Sequence, residues 1–153
     1  MRHSGWLTLV VVVAGCTLDV ANAQRADKSV IASPNAPAAI GPYSQAIKVG
    51  KTVYLSGQIA IDPKTKQLTS DASIEDQTKH VLENLKAVLA ADGMTLDNVV
   101  STTVYVKDLN DFGKVNEVYA TFFTSAPPAR ATVEVARLPK DAKIEISAIA
   151  LHP

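Results

Sequence analysis

The sequence predicts a single α+β domain, in which two helices cover one face of a mixed β-sheet in the element order ββαβαββ. Two observations lead to this fold class. Apolar residues make up 47% of the 153-residue chain and charged residues 20%, a balance typical of a globular domain with a sizeable core. Apolar patterns with the period of strands also alternate with patterns of helical period. Because two helices cover only one face of such a sheet, the other face is expected to pack against another subunit.

The first 23 residues predict an export signal, which leaves residues 24–153 as one folded domain. Met1–His3 is a short basic start, and Trp6–Ala14 is an apolar run too short to cross a bilayer. The competing interpretation makes this run a buried strand, but residues 19–37 then form a polar linker that offers it no periodic partner. Export to the periplasm is therefore the expectation, and a cytoplasmic location is the alternative.

Two processing sites remain open in this leader. Ala21–Ala23 fits the small-x-small rule, and a cut before Gln24 would release the domain. Val13–Cys16 resembles the lipobox of bacterial lipoproteins, and acyl chains on Cys16 would tether the domain to a membrane. The sequence favours neither site over the other.

The domain is predicted to open with a β-hairpin. Ala46–Val49 and Thr52–Leu55 have strand character and flank Gly50 and Lys51. A Gly-X pair suits the two-residue type II′ turn that joins antiparallel neighbours.

A first helix follows the hairpin. Ser73 and Asp76 resemble a capping box at its start, and Gly93 stands where the helix should end. The apolar residues with helical spacing are Ile74, Val81, Leu82, Leu85, Val88 and Leu89.

The second half of the chain predicts a strand, a helix and two further strands. Val99–Val106 is a β-branched run, and Asn110 or Asp111 can cap the second helix. The apolar stripe of this helix is Phe112, Val115, Tyr119 and Phe122. A Pro-Pro pair then breaks the chain before two strands, predicted at Ala131–Leu138 and Lys143–Leu151.

The composition argues against several classes of function. Lys and Arg number 15 against 15 Asp and Glu, so the basic excess typical of nucleic-acid-binding proteins is missing. The single cysteine is Cys16 in the leader, so the domain has no thiol chemistry and no thiolate metal site. Beyond the leader only His80 and His152 remain, and they suggest no two-histidine nuclease site.

Four segments carry the chemistry: Gly41–Ala46, Leu55–Ile59, Val106–Phe112 and Pro128–Asp141. In this order they resemble the RidA (YjgF) family from about Ile31 to the C-terminus. The resemblance implies a chorismate-mutase-like fold and a homotrimer with active sites in the clefts between subunits. It also implies a deaminase that hydrolyses reactive 2-imino or enamine acids to 2-keto acids and ammonia without a metal or another cofactor.

The resemblance assigns the two catalytic roles to Arg130 and Glu145. The guanidinium of Arg130 has the planar fork that binds a carboxylate through two hydrogen bonds. Glu145 matches the family glutamate that orients the attacking water, and it alternates with Ile144 and Ile146 on a strand. A nearby Arg130 is expected to keep this carboxylate charged at neutral pH.

The family also implies a set of substrate-binding positions. Tyr43 matches a tyrosine that closes over the substrate, with a buried core tyrosine as the alternative. Ser56 and Gly57 end a strand where a small ligand can approach closely. Asn116 matches a residue that organises the cleft, with a solvent-facing helix position as the alternative. Thr132 stands where many relatives carry a cysteine, so the substrate range is the property that this departure affects.

A non-catalytic binding protein is the main alternative to an enzyme. A sensor or trap for small carboxylates or keto acids would use the same Arg130 cleft and release no ammonia. Hydrolysis needs a positioned water as well as a bound carboxylate, so Glu145 separates the two hypotheses.

Overall fold

The structure, a computed structural model, describes residues 27–69 and 71–153. The leader, both processing sites and the proposed lipid anchor at Cys16 lie outside the described residues, so they stay predictions. The elements are β1 (Lys28–Ile31), β2 (Ala46–Val49), β3 (Thr52–Gln58), α1 (Ile74–Ala90), β4 (Val99–Val106), α2 (Phe112–Phe122), β5 (Ala129–Glu134) and β6 (Ile144–Leu151). Among these residues, no helix is both long enough and apolar enough to span a bilayer.

The strands of the described residues form one mixed sheet in the order β1-β2-β3-β6-β4-β5. Neighbouring strands are antiparallel except β4 and β5, which are parallel because α2 crosses over between them. Side chains on one face of β3, β4 and β6 are buried beneath the helices, among them Val53, Val104 and Ile146. The predicted α+β class, with two helices and a mixed sheet, is therefore confirmed.

The first strand corrects the predicted element order. The sequence predicts that the domain opens with the hairpin, whereas Lys28–Ile31 precedes the hairpin and pairs with β2 as an additional edge strand. Only Ile31 of this strand is buried. Four residues with one buried side chain have almost no periodic pattern that a sequence analysis could detect. The strand forms because β2 provides a pairing partner for it.

The predicted hairpin and first helix are confirmed. Ala46–Val49 pairs with Thr52–Leu55, and Gly50 takes the positive φ of 59° that the tight turn requires. The Ser73 hydroxyl accepts a hydrogen bond from the Asp76 backbone N–H at 3.1 Å, which caps α1. All six apolar residues of the predicted α1 stripe are buried.

The start of the second helix differs in detail from the prediction. Asp111 precedes α2 but makes no side-chain capping bond. The capping side chain is Asp108, which accepts from the Asn110 N–H at 2.9 Å at the start of a short 3₁₀ turn. This turn leads directly into α2, so the cap lies one turn before the position that the apolar pattern indicates.

The second face of the sheet is open in a single chain. Tyr54, Ile149, Leu151 and Val133 are 51%, 37%, 47% and 42% exposed. Apolar side chains of this size on one continuous sheet face are typical of an interaction surface. The prediction that another subunit covers this face stays a prediction.

Candidate active site

The candidate site begins at a bulge in β3. Leu55 pairs with Ala148 and Gln58 with Ile146, so Ser56 and Gly57 together face a single residue of β6. Such bulges bend a strand and change the direction of its side chains. The Ser56 hydroxyl donates to the Ser44 carbonyl at 2.7 Å, which ties the bulge to the preceding segment and leaves the hydroxyl oxygen able to accept.

Glu145 lies directly against this bulge. A Cβ atom on Gly57 would overlap the carboxylate, with the Glu145 Cδ only 2.7 Å away and the Oε1 atom closer still. Gly57 therefore supplies the space in which the Glu145 side chain lies. Its role here is to lack a side chain, and the close approach of a small ligand that the sequence predicts at Gly57 stays a prediction.

The Glu145 carboxylate is half-buried and has no protein partner. Neither a hydrogen bond nor an ion pair reaches it from residues 27–69 or 71–153. Burial raises the pKa of this carboxyl above its usual value. A carboxylate in this state is a stronger base than one in water, and it has unused capacity to accept hydrogen bonds from a bound water.

The cleft beside Glu145 has a volume of about 310 Å³. Tyr43, Ser56 and Gly57 line it together with Glu145, and the remaining wall is apolar. Tyr43 is 47% exposed, so it is not the buried core tyrosine of the alternative interpretation. Its hydroxyl accepts from the Ile40 N–H at 3.2 Å, which holds the ring against its own loop.

Arg130 is held by side chains of α2. Its Nη2 atom donates to the Asn116 Oδ1 atom at 2.6 Å. The guanidinium carbon lies 4.6 Å from the centre of the Tyr119 ring and 5.7 Å from that of Phe112. Stacking on aromatic rings orients a guanidinium without using its hydrogen-bond donors, so most donors of Arg130 remain free for a ligand.

Tyr119 is itself fixed from below. Its hydroxyl shares a 2.8 Å hydrogen bond with the Thr102 hydroxyl of β4, and its ring lies 4.5 Å from that of Phe123. Burial raises the pKa of the Tyr119 phenol, so this group stays neutral beneath the cation. Phe112, Asn116 and Tyr119 follow one another at spacings of four and three residues, which places them on one face of α2.

The structure does not bring Arg130 and Glu145 together within one chain. Arg130 pairs with Thr102, whose side chain lies beneath α2, whereas Glu145 pairs with Tyr105 between the buried Val104 and Val106. The two side chains therefore leave opposite faces of the sheet. The expectation that Arg130 keeps Glu145 charged concerns a cleft between subunits, so it stays a prediction, and within one chain burial raises the pKa of Glu145.

The predicted site residues thus form two groups. The first group, the bulge half, is Tyr43, Ser56, Gly57 and Glu145. The second, the arginine half, is Asn116 and Arg130, which line a separate cleft of about 470 Å³. Thr132 pairs with Val104 and so shares the helix-side face of β5 with Arg130.

Sequence reasoning missed two residues of the arginine half. Phe112 and Tyr119 were assigned to the apolar stripe of α2, and their contact with Arg130 was not anticipated. The available signal was their spacing from Asn116, which puts aromatic rings and an amide on the same helix face. For metal ions, the described residues offer no cluster of three His, Cys, Asp or Glu side chains.

Comparison with known proteins places this geometry in a family. The family model described as Endoribonuclease L-PSP matches residues 33–152. This chain belongs to that family, which is the RidA family that its four sequence motifs resemble. A RutC family protein of Pyrococcus horikoshii is 58% identical over 80% of this chain and 97% of its own length.

Two further RidA relatives bear on chemistry. A 2-iminobutanoate/2-iminopropanoate deaminase of Salmonella typhimurium is 55% identical and covers 80% of this chain and 96% of its own. The crystal structure of E. coli TdcF with bound serine is 44% identical in sequence, and it matches with a TM-score of 0.78 over 82% of this chain and 99% of that structure. The fold and family predicted from the sequence are both confirmed by these relatives.

Proposed function

We propose that this RidA family member hydrolyses reactive 2-imino acids to 2-keto acids and ammonia without a cofactor. The observation that carries the proposal is the half-buried Glu145 carboxylate, which lies in an open cleft with no protein partner among the described residues. A non-catalytic carboxylate-binding protein needs a cation but has no use for a basic carboxylate that faces empty space. The deaminase relative from Salmonella supports the same reaction.

Arg130 binds the substrate carboxylate in this mechanism. A 2-imino acid carries its carboxylate next to the electrophilic carbon, so holding one group fixes the other. Phe112 and Tyr119 set the plane of the guanidinium, and Asn116 fixes one of its edges. The free donors can then make the two parallel hydrogen bonds that suit a carboxylate.

Glu145 orients the water and accepts its proton. The water oxygen forms a bond to the C=N carbon, the π electrons move to nitrogen, and the proton passes through the carboxylate to that nitrogen. The hydroxyl proton of the resulting tetrahedral adduct then passes through the same carboxylate to the amine nitrogen. The C–N bond breaks as the C=O bond forms, and ammonia and the 2-keto acid leave. One water is consumed for each ammonia released, and no electron acceptor takes part.

The two halves of the site are proposed to meet between subunits of a homotrimer. Arg130 and Glu145 leave opposite faces of the sheet, so the arginine half of one subunit must join the bulge half of its neighbour to act on one small molecule. The exposed apolar face with Tyr54, Ile149 and Leu151 supplies a surface for such an assembly. Native mass spectrometry is expected to give three times the chain mass, and a monomer that retains full activity would refute this arrangement.

The remaining predicted residues have supporting roles in this proposal. Ser56 and the backbone at Gly57 contact the substrate from the bulge half, and Tyr43 covers it. Thr132 contributes a hydroxyl on the face that carries Arg130, which keeps water near the carboxylate. This threonine and the loop of residues 124–128, which contributes Pro127 and Pro128 to the Arg130 cleft, set the side chains that the cleft accepts.

The deciding experiment generates imino acids with an L-amino-acid oxidase and measures keto-acid and ammonia release. Wild type is expected to accelerate release well above the uncatalysed rate. Arg130→Ala is expected to lower kcat/KM by about a hundredfold or more, since a desolvated charged contact is lost. Arg130→Lys is the matched control, because it keeps the charge but lacks the fork, and it should fall between the two.

No acceleration by wild type across several side chains would reject the deaminase proposal. Calorimetric titration with 2-oxobutanoate then distinguishes a binding protein from a protein without affinity for small carboxylates. Binding that disappears in Arg130→Ala would assign the arginine half to a sensor or trap.

A further inference from the structure

We infer that Gln45 is the positioning residue that holds residues 33–43, and with them Tyr43, over the Glu145 cleft. This inference rests on the proposed function for its kinetic consequence, but not for its structural one. Gln45 lies immediately before β2 and is only 6% exposed. It belongs to the Gly41–Ala46 motif, in which only Tyr43 was assigned a role.

The Gln45 side chain binds the preceding loop at three residues. Its Oε1 atom accepts from the Ser33 N–H at 2.6 Å. Its Nε2 atom donates to the carbonyls of Ser33 at 3.2 Å, Ala36 at 3.3 Å and Pro37 at 2.7 Å. One buried amide therefore meets both kinds of backbone group in a segment that has no strand partner.

This loop needs an outside donor because of its composition. Pro34, Pro37 and Pro42 have no backbone N–H, so the segment has more carbonyl acceptors than donors. Buried carbonyls without partners are costly, and a glutamine amide offers two donors at one point. Gln45 therefore stabilises a conformation that the loop backbone cannot maintain alone.

The same residue connects the loop to the site. Gln45, Tyr43 and Gly57 line one small cavity of about 20 Å³ beneath the loop. The Gln45 carbonyl also accepts from the Ser56 N–H at 3.0 Å, next to the bond from the Ser56 hydroxyl to Ser44. Tyr43 thus lies between two anchors, the Gln45 amide on one side and the bulge on the other.

The predicted consequence concerns substrate binding more than chemistry. Tyr43 lines the cleft but is not the base. Displacement of its loop therefore weakens the binding of the substrate and of the intermediate to a similar extent. Such a loss raises KM and leaves kcat almost unchanged. A purely structural glutamine would instead lower stability and leave the KM of the folded protein at its wild-type value.

The test compares Gln45→Met with Gln77→Met. Methionine keeps the length of the side chain and removes the amide, so neither variant opens a large cavity. Gln77 is a matched control because it is fully buried and also bonds to backbone, donating to the Thr69 carbonyl and accepting from the Lys143 N–H, both at 2.9 Å. Neither of these two bonds involves residues 33–43.

Hydrogen–deuterium exchange and kinetics are measured on both variants. Gln45→Met is expected to speed exchange in peptides covering residues 33–44 and to raise KM about tenfold, with kcat within about threefold of wild type. Gln77→Met should leave both the exchange of residues 33–44 and the KM at their wild-type values. In a Tyr43→Ala background, Gln45→Met should have little further effect on KM, because the two changes act through one loop.

The outcomes separate this inference from the proposed function. Unchanged exchange in residues 33–44 would overturn the role of Gln45 whatever the enzyme does. Faster exchange with an unchanged KM would assign it to stability alone and also overturn the inference. If wild type has no deaminase activity, the proposed function fails, and exchange of the loop together with the affinity for 2-oxobutanoate decides the role of Gln45.

Discussion

The two halves of the candidate site are built in opposite ways. In the arginine half, Arg130 is fixed by side chains that touch it, through a hydrogen bond that it donates to Asn116 and through contacts with two aromatic rings. In the bulge half, Glu145 has no such partner among the described residues, and its place is created by the missing side chain of Gly57. Contacts with side chains therefore fix Arg130, whereas an open space accommodates Glu145. The first arrangement suits a group that must stay in place, and the second suits a group that must exchange protons.

The largest expected effect tests the bulge half through its base. Glu145→Gln keeps the size of the side chain but cannot accept a proton, and kcat is expected to fall by about 10²- to 10⁴-fold. Steady-state ammonia release measures the loss. Binding of 2-oxobutanoate should persist, because the arginine half is intact. A variant with more than about a tenth of wild-type kcat would show that Glu145 is not the base.

The second prediction fills the space instead of removing the base. Gly57→Ala places a methyl group where the Glu145 carboxylate lies, so the carboxylate must move. A displacement of about 1 Å can cost about a hundredfold in rate. The same assay measures it, and Gly113→Ala is the control, since a Cβ there meets nothing within 4 Å. Equal activity of both variants would contradict the close packing described for Gly57.

A pH profile sharpens the comparison further. Burial raises the pKa of Glu145, so the acidic limb of kcat/KM should lie at higher pH than for an ordinary glutamate. Activity falls as pH drops through this raised pKa, because protonated Glu145 cannot accept from water. The limb should disappear in Glu145→Gln. A limb at the ordinary glutamate pKa would indicate that water or Arg130 of a neighbouring subunit offsets the effect of burial in the assembled cleft.

The stability of the same variant has a defined sign. An acid whose folded pKa is raised binds its proton more tightly when folded, so its stabilising effect is present at low pH and is lost as pH rises through the folded pKa. At neutral pH, Glu145→Gln should therefore unfold at a slightly higher denaturant concentration than wild type. The gain in the free energy of unfolding should be less than about 1 kcal/mol, because half of the group faces water. The gap should close in acid. Urea titrations at two pH values measure it.

The smallest expected effect on the kinetics lies in the arginine half. Tyr119→Leu removes the ring beneath Arg130 and the bond to Thr102 while keeping an apolar side chain. A lost cation–π contact is worth about 0.5–2 kcal/mol, so KM should rise by a few-fold up to about thirtyfold. Substrate titration measures this change. An unchanged KM would mean that Asn116 alone orients the guanidinium.

Much of the fold could be predicted from the sequence because its signals are periodic. The stripe of α1 and the run Val99–Val106 each repeat an apolar pattern long enough to be recognised. β1 could not be predicted, since three of its four side chains are exposed and its partner lies about twenty residues away. The α2 cap was misplaced because the 3₁₀ turn at Leu109–Asp111 precedes the helix.

The site was predictable in its members but not in its arrangement. Arg130 and Glu145 came from motif resemblance. Glu145 lies on the strand expected of it, whereas Arg130 lies within β5, one residue before the predicted start of that strand at Ala131. That they leave opposite faces depends on β4 lying between their strands, which is a property of the sheet order and not of local sequence. The contacts of Phe112 and Tyr119 with Arg130 were missed for a related reason. The apolar stripe of α2 predicts that these rings are buried against the core, but it does not show which polar side chains from other elements contact them.

The placement of the two halves on opposite sheet faces has a genetic consequence in the proposed assembly. A chain altered at Arg130 still carries an intact bulge half, and a chain altered at Glu145 still carries an intact arginine half. When two such inactive alleles are expressed in one cell, their chains can form mixed trimers. Some clefts in these trimers then combine an intact arginine half from one chain with an intact bulge half from another. Two alleles altered in the same half cannot complement each other, so the pattern of complementation reads out which half each mutation belongs to.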